Sequence, residues 1–113
     1  MKVGIDIEEV ERFIKYIKNK IYLQRLFAKE EISYVMSSNQ CKTIERLATY
    51  FSAKEAVWKA INSSYKTLLI SDIVIKHDKN GKPKVYVKNQ YCKNIDISLS
   101  HTKKYVVAVA IAF

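Results

Sequence analysis

Thr43-Ile44-Glu45-Arg46-Leu47-Ala48-Thr49-Tyr50-Phe51-Ser52-Ala53-Lys54-Glu55-Ala56-Val57-Trp58-Lys59-Ala60-Ile61 is the stretch on which the fold turns. It lacks glycine and proline and carries apolar residues at helical spacing, which predicts one long helix from Thr43 to about Ile61, with Thr43 as its N-cap. The apolar stripe is Ile44, Leu47, Ala48, Phe51 and Trp58, and at 100° per residue Glu55 falls in the middle of it. A carboxylate buried without a partner costs several kcal/mol, so position 55 needs one. Ala53, Ala56 and Ala60 make a second side small and apolar, which suits a helix covered on more than one face.

Upstream, Val3, Ile5 and Ile7 alternate with Lys2, Gly4 and Asp6, a strand pattern that sets Asp6 opposite the isoleucines. Glu8, Glu9 and Glu11 favour a helix start, and Val10, Phe13, Ile14 and Ile17 continue at helical spacing with Arg12, Lys15 and Lys18 outside. Tyr22 to Phe27 reads as a helical turn, and Ala28 to Met36 as a short helix with Ile32, Val35 and Met36 inward. Ser37 to Gln40 reads as a loop. Downstream of Asn62-Ser63-Ser64 the period becomes two: strands around Ile73 and Ile75, a tight turn at Asn80-Gly81, then Lys84–Lys88, Ile95–Ser100 and Tyr105–Phe113. One strand, a helical region and about four antiparallel strands predict an α+β domain. Its antiparallel sheet carries one long helix and shorter helices on one face.

At 113 residues the expectation is a single domain over 1–113. Twenty Lys and Arg against 11 acidic residues leave a net charge of +9, which points to an anionic partner. Cys41 and Cys92 are too few for a disulfide framework and lack zinc spacing, so reduced thiols and a cytoplasmic setting are expected. Asp6 follows the initiating Met1 so closely that no secretion signal is expected, and no apolar run reaches the roughly 20 residues of a membrane span.

Four groups carry possible chemistry. Asp6 and Glu55 would meet if the helix packs on the first strand, and two carboxylates with substrate phosphates and water are a common Mg²⁺ site. The plain alternative is that Asp6 caps a helix and Glu55 pairs with Lys59. Lys54 and Lys59 could clamp a phosphate or line a solvated flank. Ser98, Ser100, His101 and Thr102 end a strand in hydroxyls and an imidazole. Ser100 and His101 point to opposite faces, which argues against a nucleophilic pair. His77 beside the turn reads as solvated. Eight tyrosines among lysines raise single-stranded nucleic acid as a rival partner, but no matching motif accompanies them.

Gly4-Ile5-Asp6-Ile7, Phe51-Ser52-Ala53-Lys54-Glu55-Ala56 with Lys59-Ala60, Asp72-Ile73 before Asn80-Gly81-Lys82-Pro83, and Ser98-x-Ser100-His101-Thr102 together resemble the holo-[acyl-carrier-protein] synthases, the short class of 4′-phosphopantetheinyl transferases. The resemblance spans nearly the whole chain. It implies transfer of 4′-phosphopantetheine from coenzyme A to a serine of apo-acyl carrier protein, releasing adenosine 3′,5′-bisphosphate, in support of fatty acid biosynthesis. It implies Mg²⁺ on Asp6 and Glu55, coenzyme A phosphates near Lys54, Lys59 and His101, and a carrier-protein dock at Arg12 and Arg25. It also implies a homotrimer with active sites between subunits, with no nucleic acid or membrane among the partners. Two departures stand out. Thr49-Tyr50 replaces a usual Gly-Arg, for which Arg46 one turn earlier is the substitute on offer. Asn62-Ser63-Ser64-Tyr65 replaces a glycine-rich loop.

Overall fold

The computed structural model describes residues 1–113. Strand β1 (Lys2–Glu9) runs into a 3₁₀ helix (Val10–Tyr16), followed by α1 (Lys20–Leu26), α2 (Lys29–Met36) and the long α3 (Gln40–Ile61). The remainder holds β2 (Ile73–His77), β3 (Pro83–Val87), β4 (Gln90–Tyr91), β5 (Ile95–His101) and β6 (Tyr105–Ala112). The α+β class and the dominant central helix agree with the sequence reading. The strands divide, however, into two three-stranded antiparallel sheets, β1-β6-β5 and β2-β3-β4. The two-residue β4 carries no periodicity of its own; it exists because Lys88 and Asn89, both at positive φ, turn the chain back onto β3.

Helix α3 begins at Gln40, because Asn39 rather than Thr43 caps it, its side chain accepting from the Lys42 N–H at 3.1 Å. Thr43 lies inside the helix, buried, and its hydroxyl donates to the Ser38 carbonyl. The buried face is also rotated from the expected stripe. Leu47 and Ala48 are enclosed as expected, but so are Tyr50, Ala53, Lys54, Val57 and Ile61, while Ile44, Phe51 and Trp58 are only half-buried. The helix is covered on more than one side. Ala48, Ser52, Ala56 and Ala60, four residues apart, form a flat strip against β1. Gly4 makes that approach possible, since a Cβ there would sit 1.9 Å from the Ala56 carbonyl oxygen.

This contact decides which face of β1 is inside. Gly4, Asp6 and Glu8 are buried, whereas Val3, Ile5 and Ile7 are 59%, 61% and 61% exposed. Opposite them in register stand Ile111, Val109 and Val107, so the outer face of the first sheet is apolar and open. The segment after β1 is a 3₁₀ helix, with Phe13 and Ile17 buried and Ile14 outside. In α2, Val35 points inward as expected, Met36 is exposed, and the buried partner is Glu31. No helix is long and apolar enough to cross a membrane.

Candidate active site

The strand alternation of β1 places Asp6 and Glu8 on the face that meets α3. Ser52 on α3 donates to the Asp6 carbonyl at 3.2 Å and anchors the strand there. Glu55, one turn further along the helix, has a raised pKa, first from burial and second from the charge of Asp6, so the two carboxylates lie within electrostatic reach. The fold thus brings the sequence-predicted Asp6 and Glu55 to the same corner of β1 and α3.

The electrostatics of this corner are unbalanced. Glu8 is pushed up to about 7, first by burial and then by Asp6, with Glu55 adding to the rise and Arg12 opposing it through an ion pair. Lys59 supplies the other cation. Its ammonium is 3.0 Å from the Ile5 carbonyl and 3.4 Å from Asp6 Oδ1. Asp6 Oδ2 is buried, and with Glu8 ionised no protein donor reaches it. A buried carboxylate oxygen without a protein donor, within electrostatic reach of Glu55, fits a hard divalent cation, which takes oxygen ligands. Asp6 and Glu55 would hold it. No group of three acidic, histidine or cysteine side chains forms an enclosing cage, so the remaining ligands must come from water and a bound phosphate.

Glu8 was not singled out in the sequence because the run Glu8-Glu9-Val10-Glu11 reads as a helix start. The signal was there: extending the two-residue period of β1 by one step puts Glu8 on the Asp6 face.

Lys54 is placed elsewhere. It is fully buried, its ammonium 2.7 Å from Glu31 Oε1 and hydrogen-bonded to the Leu26 carbonyl, with the Phe27 ring 4.7 Å away. Glu31 in turn accepts from the Ala28 N–H at 2.8 Å and the Ile75 N–H at 3.0 Å. The position of Lys54 follows from the rotation of the helix. Two residues from Ser52, and so about 200° around the helix from the strip facing β1, Lys54 points into the corner between α1, α2 and β2 and pins them together.

His101, at the end of β5, is exposed, 3.6 Å from Glu45. It lines a cavity of about 300 Å³ with Tyr34, Lys42, Arg46, Tyr50 and His77. Arg46 enters this cavity, donating to the Tyr34 carbonyl at 2.8 Å and Ser37 Oγ at 3.0 Å, while Tyr50 is buried. Arg46, one turn before Tyr50 on α3, thus lines the same cavity as Tyr50. Arg12 is drawn to Glu8 at the edge of the acidic corner, and Arg25 is exposed in the last turn of α1. His77 is not solvated as expected but half-buried, bonded through Nδ1 to the Tyr50 hydroxyl.

Comparison with known proteins bears on the family and the fold. The model of the 4′-phosphopantetheinyl transferase superfamily matches residues 2–110. The holo-[acyl-carrier-protein] synthase of Caldicellulosiruptor saccharolyticus is 40% identical over 97% of this chain and 94% of its own. That of Thermoanaerobacter sp. (strain X514) is 37% identical over 97% and 85%. The crystal structure of the Bacillus anthracis holo-(acyl-carrier-protein) synthase in complex with CoA (3′,5′-ADP) superposes with a TM-score of 0.81 and 26% identity, covering 98% of this chain and 94% of that one. The Plasmodium yoelii holo-ACP-synthase gives a TM-score of 0.77 at 29% identity, over 98% and 92%. The chain belongs to the 4′-phosphopantetheinyl transferase superfamily.

Proposed function

We propose that this chain is a holo-[acyl-carrier-protein] synthase, moving the 4′-phosphopantetheine group of coenzyme A onto a serine of apo-acyl carrier protein and releasing adenosine 3′,5′-bisphosphate. The observation that carries the reading is that Asp6 and Glu55 share one corner of β1 and α3, with Asp6 Oδ2 buried and, with Glu8 ionised, without a protein donor. Mg²⁺ held there would neutralise the pyrophosphate and the charge that develops on it during transfer. Lys59, half-exposed at the edge of the same corner, is placed to meet a phosphate oxygen as a point charge. Arg12 keeps Glu8 turned toward the corner. The β-phosphorus is the electrophile, the carrier serine hydroxyl attacks it in line as its proton passes to a carboxylate of the corner or to water, and the P–O bond to the leaving adenosine 3′,5′-bisphosphate breaks.

The cavity bearing Lys42, Arg46 and His101 takes the nucleotide end. Thr49 and Tyr50, on its wall, precede Glu55 by about 8–9 Å of helix rise, a span that a nucleoside bisphosphate covers. Arg12, with the exposed Lys15, Arg25 and Lys29 of the helical region that follows β1, is the proposed dock for an acidic carrier protein. The open apolar face of Val3, Ile5 and Ile7 supports assembly, and a homotrimer with shared sites is the form proposed. The unit is one domain over 1–113, acting in the cytoplasm in fatty acid biosynthesis, and its free Cys41 and Cys92 suit a reducing setting. The test is incubation with CoA, Mg²⁺ and an apo-carrier protein followed by intact mass. A carrier that gains no phosphopantetheine sinks the reading.

A further inference from the structure

The cavity at the start of α3 is built on an aromatic layer that phosphate binding alone does not explain. The rings of Tyr50 and His77 are nearly parallel, 10° apart with centroids 5.6 Å from each other, and a 2.7 Å hydrogen bond joins the Tyr50 hydroxyl to His77 Nδ1. Tyr34 stacks across both, its centroid 5.0 Å from Tyr50 and 4.8 Å from His77. The Arg46 guanidinium lies over Tyr34 at 4.2 Å. The three elements α2, α3 and β2 each contribute one ring, so the layer forms only when the chain is folded.

The hydrogen bond has a direction. Tyr50 is 1% exposed and its hydroxyl has no partner other than His77 Nδ1. A buried hydroxyl with a single polar neighbour donates to it, because as an acceptor it would leave its own proton unsatisfied. Burial raises the Tyr50 pKa further, which keeps that proton in place. The neutral imidazole then carries its hydrogen on Nε2. Burial first, and then the charge of Arg46, lower the His77 pKa, with Asp78 pulling the other way. Tyr34, Lys42, Glu45 and His101 are the other titratable groups around the cavity. Nε2 has no protein partner, and His77 is part of the cavity wall.

We propose that Tyr50 is a positioning residue that fixes His77 as a neutral Nε2–H donor to the adenosine 3′,5′-bisphosphate end of coenzyme A. Lys42 and Arg46 draw in the phosphates, and His77 adds direction without adding charge. Tyr50 replaces an arginine of the resemblance, so this pair is a feature of this chain. The proposal rests on the transferase reading.

The test uses ¹⁵N-labelled full-length protein and adenosine 3′,5′-bisphosphate as probe. His77 should show a bare Nδ1 and a protonated Nε2, and the Nε2 resonance should move on saturation. Tyr50→Phe should lose the single tautomer. His77→Ala should raise the KM for CoA by about tenfold, the scale of one lost hydrogen bond, with the KM for carrier protein unchanged. His77→Gln, which keeps an N–H donor, should recover part of the loss. A protonated Nδ1, an Nε2 resonance unmoved at saturation, or an unchanged KM for CoA in His77→Ala overturns the proposal. If transfer proceeds while His77 stays silent, this inference alone fails. If the protein binds neither nucleotide nor CoA and modifies no carrier protein, the transferase reading fails with it.

Discussion

The ammonium of Lys54 lies 2.7 Å from a carboxylate oxygen of Glu31, and neither side chain is exposed to solvent. Its sequence neighbour Glu55 stands in the acidic corner on another side of the same helix. One dipeptide therefore serves two ends: Lys54 holds the corner of α1, α2 and β2, and Glu55 faces Asp6. Burial lowers the Lys54 pKa and Glu31 counteracts that, as in a pair retained by full hydrogen bonding.

Lys54→Met should cost about 3–5 kcal/mol of stability, because it leaves Glu31 buried and unpaired. Lys54→Met with Glu31→Leu should recover only part of this, since the Ala28 and Ile75 N–H groups lose their acceptor. Chemical denaturation measures both. A Lys54→Met protein of unchanged stability, with a raised KM for CoA, would return Lys54 to the phosphates.

Asp6→Asn and Glu55→Gln should each abolish transfer and leave the fold intact, because each removes a hard anionic oxygen. Glu55→Gln should raise the melting temperature of the metal-free protein by relieving repulsion from Asp6. Activity near that of the unmodified chain in either variant, at saturating CoA and Mg²⁺, defeats the assignment.

Metal-free stability should depend on pH through the acidic corner. Glu8 binds its proton with a pKa of about 7 when folded, against 4.5 ordinarily, so the folded state holds the proton more tightly. Its contribution is fully present below about 4.5 and is lost as pH rises through about 7. Glu55, also raised, acts in the same direction. Melting curves without divalent ions should fall across this window, and Mg²⁺ should restore more at the alkaline end than at the acid end. A restoration independent of pH would contradict a carboxylate site.

Association should run through the open face of the first sheet. Ile5→Glu or Ile7→Glu places charge on that face and should dissociate the assembly, read by light scattering. A monomer mass for the unmodified, active protein at micromolar concentration rules out the homotrimer.

Arg25→Glu should raise the KM for carrier protein several-fold and leave the KM for CoA unchanged, with added salt weakening carrier binding. Arg12→Glu should damage both, because Arg12 also counters Glu8 beside the proposed metal. An Arg25 reversal that weakens CoA and spares the carrier protein would assign this face to the nucleotide.

The chain's own pattern was enough for the long helix, for every strand but β4 and for two of the three carboxylates of the corner. Alternation in Val3–Ile7 and the helical spacing from Ile44 to Trp58 are local properties of the backbone period, and they put Asp6 and Glu55 on strand and helix without any tertiary information. The strands after Ile73 were legible for the same reason, and Asn80-Gly81 marked their turn, where Gly81 has a φ of +80°. Periodicity says which residues share a face but not which face another element covers. The sequence could not tell that Gly4 would draw α3 onto the Asp6 side and leave the isoleucines outward, nor that both sides of α3 would be packed. That packing turned Lys54 to Glu31 and aligned Tyr50 with His77, pairs 23 and 27 residues apart in the chain. Their meeting depends on how the helices and sheets stack, because burial makes each of these polar groups seek a partner wherever the fold supplies one.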